Sequence, residues 1–128
     1  MTVGEEIGVF EGTATSVTQT VDASARRIFA MNFEGPVSGR WEGAHLTTLI
    51  AKPHTEDYTS GTFSAPLSYY LKDGGVVSGV LNGVFATKGR HSWQLNGIAR
   101  LSDATRVAVE LSLELESRSI AGVVFEIT

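Results

Sequence analysis

Three side chains in this sequence combine a chemistry that can move or hold a proton with a spacing that aims them the same way as their large apolar neighbours. Tyr69 stands between Leu67 and Leu71, His91 two residues before Trp93, and His45 within the alternate run Trp41, Gly43, His45, Thr47, Leu49. Histidine donates or accepts a proton near neutral pH, and a tyrosine hydroxyl holds a carbonyl or hydroxyl by hydrogen bonding. His45, His91 and Tyr69 are therefore the expected catalytic or ligand-orienting residues. The plainer reading is that each histidine sits near a mouth of the fold, satisfied by backbone or water. Arg27, at the start of a strand, either anchors a ligand carboxylate from a rim or simply stands in solvent. Glu126 and Asn32 point inward only if their strands face the other way.

Other chemistries find little support. The chain has no cysteine, hence no disulfide, thiolate nucleophile or thiolate metal site. His45, His54 and His91 are too scattered for a zinc pattern, and His54 falls in a loop, so no metal is expected. No G-x-S-x-G elbow accompanies the serines, which leaves hydrolase chemistry without a signature. Gly79 and Gly83 precede no helix, so there is no phosphate-cradling loop and no cofactor is expected. With 10 Lys and Arg against 14 Asp and Glu the net charge is −4, which argues against nucleic acid and anionic membrane surfaces as partners. The opening Met-Thr-Val-Gly-Glu-Glu carries neither a basic segment nor an apolar export stretch, and no run of eighteen apolar residues occurs; a cytoplasmic location is expected.

The elements that must position these residues read as strands. Thirty-two of the 128 residues are β-branched and 14 are glycine, and period-two alternation recurs almost from end to end, with no sustained helical spacing. The pattern predicts strands at residues 8–21, 26–33, 37–50, 60–71, 76–87, 90–101, 105–115 and 120–127. Glu34-Gly35-Pro36 breaks the second from the third, because proline cannot donate to a ladder. Residues 51–59 are long enough to act as a flap. Asp73-Gly74 signals a primed hairpin turn, and Asn82-Gly83 and Asn96-Gly97 are further possible turns. Eight antiparallel strands with short connections fit a single all-β domain over residues 1–128, a closed eight-stranded barrel, because closure removes exposed edges. A two-sheet sandwich is the rival.

A repeated unit specifies the interior. Glycine, a large apolar residue and a small residue follow one another at spacing two in Gly8-Phe10-Gly12, Gly39-Trp41-Gly43, Gly61-Phe63-Ala65 and Gly79-Leu81-Gly83. Spacing two places all three on one face of a strand, where glycine lets the strand coil and leaves room for a ring. Extending those faces gives Phe10, Gly12, Ala14, Ser16 and Thr18 on the first strand and Arg27, Phe29, Met31 and Phe33 on the second. With Val123, Phe125 and Ile127 inward on the last strand, one surface gathers Phe10, Phe29, Phe33, Trp41, Phe63, Tyr69, Phe85, Trp93 and Phe125. Large and small residues so mixed either interlock into a solid core or floor a cavity for one small ligand. Phe10, Phe29, Phe33, Trp41, Phe63, Phe85 and Trp93 are the expected ligand-shaping residues.

Ser16-Val17-Thr18-Gln19-Thr20, followed by Phe33-Glu34-Gly35-Pro36-Val37-Ser38-Gly39-Arg40-Trp41-Glu42-Gly43, resembles the early strands of the allene oxide cyclase-like barrels, which include small bacterial proteins. The resemblance implies an eight-stranded barrel with a largely apolar cavity open at one end. In the enzymes of that group the barrel steers cyclisation or isomerisation of a flexible apolar substrate without a cofactor, by shape and a few polar groups. The cysteine that lines the pocket in plant members has no counterpart here. The expected function is thus capture of an apolar or aromatic small molecule, with cyclase or isomerase chemistry if His45, His91 and Tyr69 act on it. The alternatives are a lipocalin-like carrier and a solid-core barrel whose outer face builds a homo-oligomer.

Overall fold

Period-two alternation becomes eight antiparallel strands in a computed structural model that describes residues 3–128. They are β1 (Val3–Val21), β2 (Arg27–Gly39), β3 (Gly43–Pro53), β4 (Ser60–Leu71), β5 (Val76–Gly89), β6 (Ser92–Arg100), β7 (Arg106–Glu114) and β8 (Ser119–Ile127). Each pairs with its sequence neighbours, and β8 returns to β1, so the sheet is a closed barrel with no free edge. Among the described residues no helix is long and apolar enough to cross a membrane.

Tight hairpins let the strands follow one another. In the β1–β2, β4–β5 and β6–β7 connections the chain makes the same move. Asp22, Leu71 and Leu101 each donate their N–H to the carbonyl four residues on, and the residue before that carbonyl takes a positive φ: Ala25 at 62°, Gly74 at 95° and Ala104 at 74°. This is a type I turn completed by one left-handed residue, a three-residue hairpin rather than the primed turn that Asp73-Gly74 suggested. Aspartate side chains brace all three: Asp22, Asp73 and Asp103 accept N–H bonds from Ser24, Gly75 and Thr105 at 2.8, 2.8 and 3.0 Å.

Four expectations change. Glu34-Gly35-Pro36 does not end a strand; β2 runs through it to Gly39 and the turn lies at Arg40–Glu42, so the Gly39-Trp41-Gly43 unit spans a corner. Asn82-Gly83 and Asn96-Gly97 are not turns either: Gly83 and Gly97 sit opposite each other within β5 and β6. A register shift between Ala14 and Ser16 adds one residue to β1, which reverses the alternation beyond it. Ser16 therefore faces outward, where Asn32 Nδ2 donates to its hydroxyl at 2.7 Å, while Val17 and Gln19 turn to the inside. On β8 the inward residues are Ile120, Gly122 and Val124, with Val124 at 0% exposure; Val123 and Phe125 face out, while Ile127 at the strand's end is buried as expected. That parity carries Glu126 to the barrel end, where Arg40 holds it in a two-pronged ion pair at 2.9 and 3.2 Å.

The end that carries the β2–β3, β4–β5 and β6–β7 turns is packed shut. Trp41, 2% exposed, lies across it, tilted against Tyr69 with ring centroids 5.4 Å apart. Its Nε1–H donates to Asp103 Oδ2 at 3.0 Å, tying two turns together. Behind this plug, rings interlock with glycines as the repeat implied. A Cβ on Gly97 would lie 2.9 Å from Phe63 Cζ, and one on Gly122 would strike the Phe10 ring.

Candidate functional site

His45 lies in this solid half, 1% exposed and edge-on to Phe10. Its surroundings explain why a histidine is needed. The N–H of Arg40 donates to the carbonyl of Ile7, so paired positions on the β1–β2 ladder alternate through Val9 and Ser38 to Glu11 and Pro36. Proline has no N–H, which leaves the Glu11 carbonyl without its ladder partner. That carbonyl leans inward over Gly35, occupying the place a Cβ would take, and accepts a hydrogen bond from His45 Nε2–H at 2.7 Å. The other nitrogen, Nδ1, accepts from the Thr47 hydroxyl at 2.9 Å. Both ring nitrogens are engaged, and burial holds the imidazole below its ordinary pKa, so it stays neutral.

Tyr69 is directly opposite His45 across β3 and β4, so the barrel does bring these two together. Tyr69 is nonetheless packed against Trp41 at the shut end, and burial pushes its hydroxyl pKa up to about 12. His91 is elsewhere. It is not on the inner face of a strand but in the β5–β6 turn at the opposite end, exposed, with φ at 53°; β6 begins only at Ser92. The turn consumes the residues that alternation alone assigned to the strand.

At that opposite end the lumen opens into a cavity of about 400 Å³. Its deep wall is buried Leu49, Phe85, Leu95 and Leu113, and its sides are Phe29, Met31 and Trp93. Room for it comes partly from Gly61: a Cβ there would strike the Lys52 carbonyl and lie 2.6 Å from Phe85 Cζ, so glycine lets that ring pack close against β4. Of the expected ligand-shaping residues, Phe29, Phe85 and Trp93 line this space, with His91 at its rim. Phe10, Phe33, Trp41 and Phe63 belong to the solid half instead. Arg27 is exposed on the projecting β1–β2 hairpin and does not line the cavity.

Residues 54–59, between β3 and β4, lean over the opening and supply side chains that period-two spacing could not assign. Tyr58 sets its ring edge-on to Phe29 at 5.0 Å, and its carbonyl accepts from Trp93 Nε1–H at 2.8 Å. Its φ of 60° shows how far the backbone bends to make both contacts. Asp57 also lines the mouth; its Oδ1 accepts from the N–H and hydroxyl of Thr59 at 3.3 and 3.0 Å. Bonds from the Thr55 and Thr59 hydroxyls hold this carboxyl below the usual carboxylate range. The length of the 51–59 stretch was the one signal in the sequence that something would cover a mouth. Among the described residues no group of three His, Asp or Glu is arranged to hold a metal ion.

Compared with protein-family models, with curated proteins and with solved structures, the chain matches none.

Proposed function

We propose that this protein binds an apolar or aromatic small molecule in the open half of its barrel. The observation that carries the reading is the cavity of about 400 Å³, almost wholly hydrocarbon and aromatic in lining, open at one end and shut at the other. Apolar surface that opens to solvent gains free energy when an apolar body covers it. The arrangement favours the carrier form of the reading over cyclisation or isomerisation. Of the three candidate catalytic residues, His45 has both nitrogens engaged and Tyr69 is packed at the shut end, which leaves His91 alone within reach of a ligand. Kinship with the allene oxide cyclase-like barrels is part of the same proposal, supported by the closed eight-stranded sheet and the one-ended lumen.

The test is a two-dimensional amide spectrum recorded against a panel of apolar and aromatic compounds. The two indole N–H signals are reporters at opposite ends of the barrel. A lumen ligand shifts Trp93 and leaves Trp41 in place; a panel that moves neither signal ends the proposal.

A homo-oligomer is a second reading, and one feature favours it. The outward positions of β4 and β5, from Thr62 to Tyr70 and from Val76 to Ala86, hold no charged residue, and Tyr70, Val76, Val80 and Val84 are all about half exposed. Sedimentation velocity across a hundredfold concentration range tests it, with a constant 13.7 kDa species counting against it.

A further inference from the structure

The mouth of the cavity carries a charge that an apolar carrier does not need. Among the described residues that line the space, Asp57 is the one charged side chain, and neither a lysine nor an arginine is present. Asp57 is exposed, yet the N–H and hydroxyl of Thr59 hold it in place, and the Thr59 hydroxyl, its own proton directed to Asp57, accepts from the Thr55 hydroxyl at 3.1 Å. Phe29, Tyr58 and Trp93 line the same mouth, with Phe85 deeper in the wall. Aromatic faces attract ammonium groups through the ring quadrupole, most strongly where water is excluded, and a nearby carboxylate adds to the attraction. Arg27, which a ligand carboxylate would need, stays out of the lining.

We propose that the ligand is a hydrophobic organic cation, an amine or quaternary ammonium on an apolar body, with the cationic group at the mouth between Asp57 and the aromatic side chains. This rests on the reading of the lumen as a binding site and names the class of ligand it selects. An anionic amphiphile such as a fatty acid is disfavoured by the same geometry, because its head group would meet Asp57 with no lysine or arginine in the lining.

Three probes that share one apolar body separate the possibilities: cyclohexylmethyl-trimethylammonium, cyclohexylmethanol and cyclohexylacetate, titrated at pH 8 and low salt while the Trp93 indole N–H is followed. The ammonium is expected to bind about tenfold more tightly than the alcohol, and the acetate most weakly. Asp57→Asn keeps an oxygen for Thr59 and so keeps the loop; in it the advantage of the ammonium should fall by at least threefold while affinity for the alcohol holds. An unchanged Trp93 signal in the ligand-free variant verifies the loop. If all three probes bind alike, or the acetate binds best, the charge assignment is overturned while the lumen remains a binding site. If none moves Trp93, both the assignment and the reading beneath it fail.

Discussion

Replacing His45 by leucine tests whether this residue is a structural donor or a chemical one. The two side chains are close in volume, so the change opens no large cavity; its effect comes from polar groups left behind. The Glu11 carbonyl loses its only substitute for the missing Pro36 N–H, and the Thr47 hydroxyl loses its acceptor. Each of the two buried orphans is worth about 1–3 kcal/mol, offset by about 1 kcal/mol from the more apolar side chain, for a net loss of about 1–5 kcal/mol. That is a large share of the roughly 5–15 kcal/mol that holds a domain of this kind together. Urea unfolding followed by tryptophan fluorescence reads it directly. Adding Thr47→Val in the same background removes one orphan and should return about 1 kcal/mol.

The pH dependence supplies a second readout. Burial lowers the pKa of His45 in the folded state below its unfolded value near 6.5, so the unfolded chain binds the proton more readily. The contribution to stability is therefore complete above pH 6.5 and declines as pH falls through the folded pKa; His45→Leu should flatten that part of the profile. Binding of lumen ligands should survive the substitution, because His45 does not line the cavity. A leucine variant as stable as the parent, or one that folds normally yet loses ligand, would refute this account of the residue.

Three more outcomes follow from the same structure. Tyr69, with its pKa pushed up to about 12 by burial, is protonated in the fold well above the point where a free tyrosine ionises; its stabilisation is intact below pH 10 and lost as pH rises toward 12, which an alkaline absorbance titration against Tyr69→Phe detects. Ala25 and Ala104 sit at φ of 62° and 74°, so Ala25→Gly and Ala104→Gly should each raise stability by up to about 1 kcal/mol, measured by thermal unfolding; a loss at both sites contradicts the turn geometry. Gly61→Ala drives a methyl group into both the Lys52 carbonyl on β3 and the Phe85 ring and should lose about 1–3 kcal/mol or more while shifting the Trp93 indole signal across the lumen, and a silent spectrum would show that the ring is not wedged there.

The course of the chain was legible because alternation and turn residues are local. Phe63, Leu81, Leu95 and Leu111 are buried at the positions that period two assigns, and Asp73 and Asp103 mark hairpins that form. What misled was also local. Pro36 reads as the end of a strand, yet β2 passes through it because a histidine on the neighbouring β3 reaches over Gly35 to supply the missing donor to β1. His91 reads as inward because alternation counts residues without knowing which of them the turn takes up. A single bulge after Ala14 exchanged Ser16 and Thr18 for Val17 and Gln19, a change that no pattern within β1 announces.

Period-two patterning and composition by themselves determined that the chain is all-β, that it runs as eight antiparallel strands, and that most of its aromatic residues share one face; the pairing of β8 with β1 decided the closed barrel over the two-sheet sandwich. The first three follow from side-chain alternation, which acts within or between neighbouring segments, and closure answers the penalty on open sheet edges. Only the tertiary structure decided how that interior divides: a half plugged by Trp41, Tyr69 and a neutral, fully bonded His45, and a half left open between Phe29, Phe85 and Trp93 beneath Tyr58. The division depends on which ring lies across which glycine and on where a loop folds back, and those are distances between residues far apart in sequence.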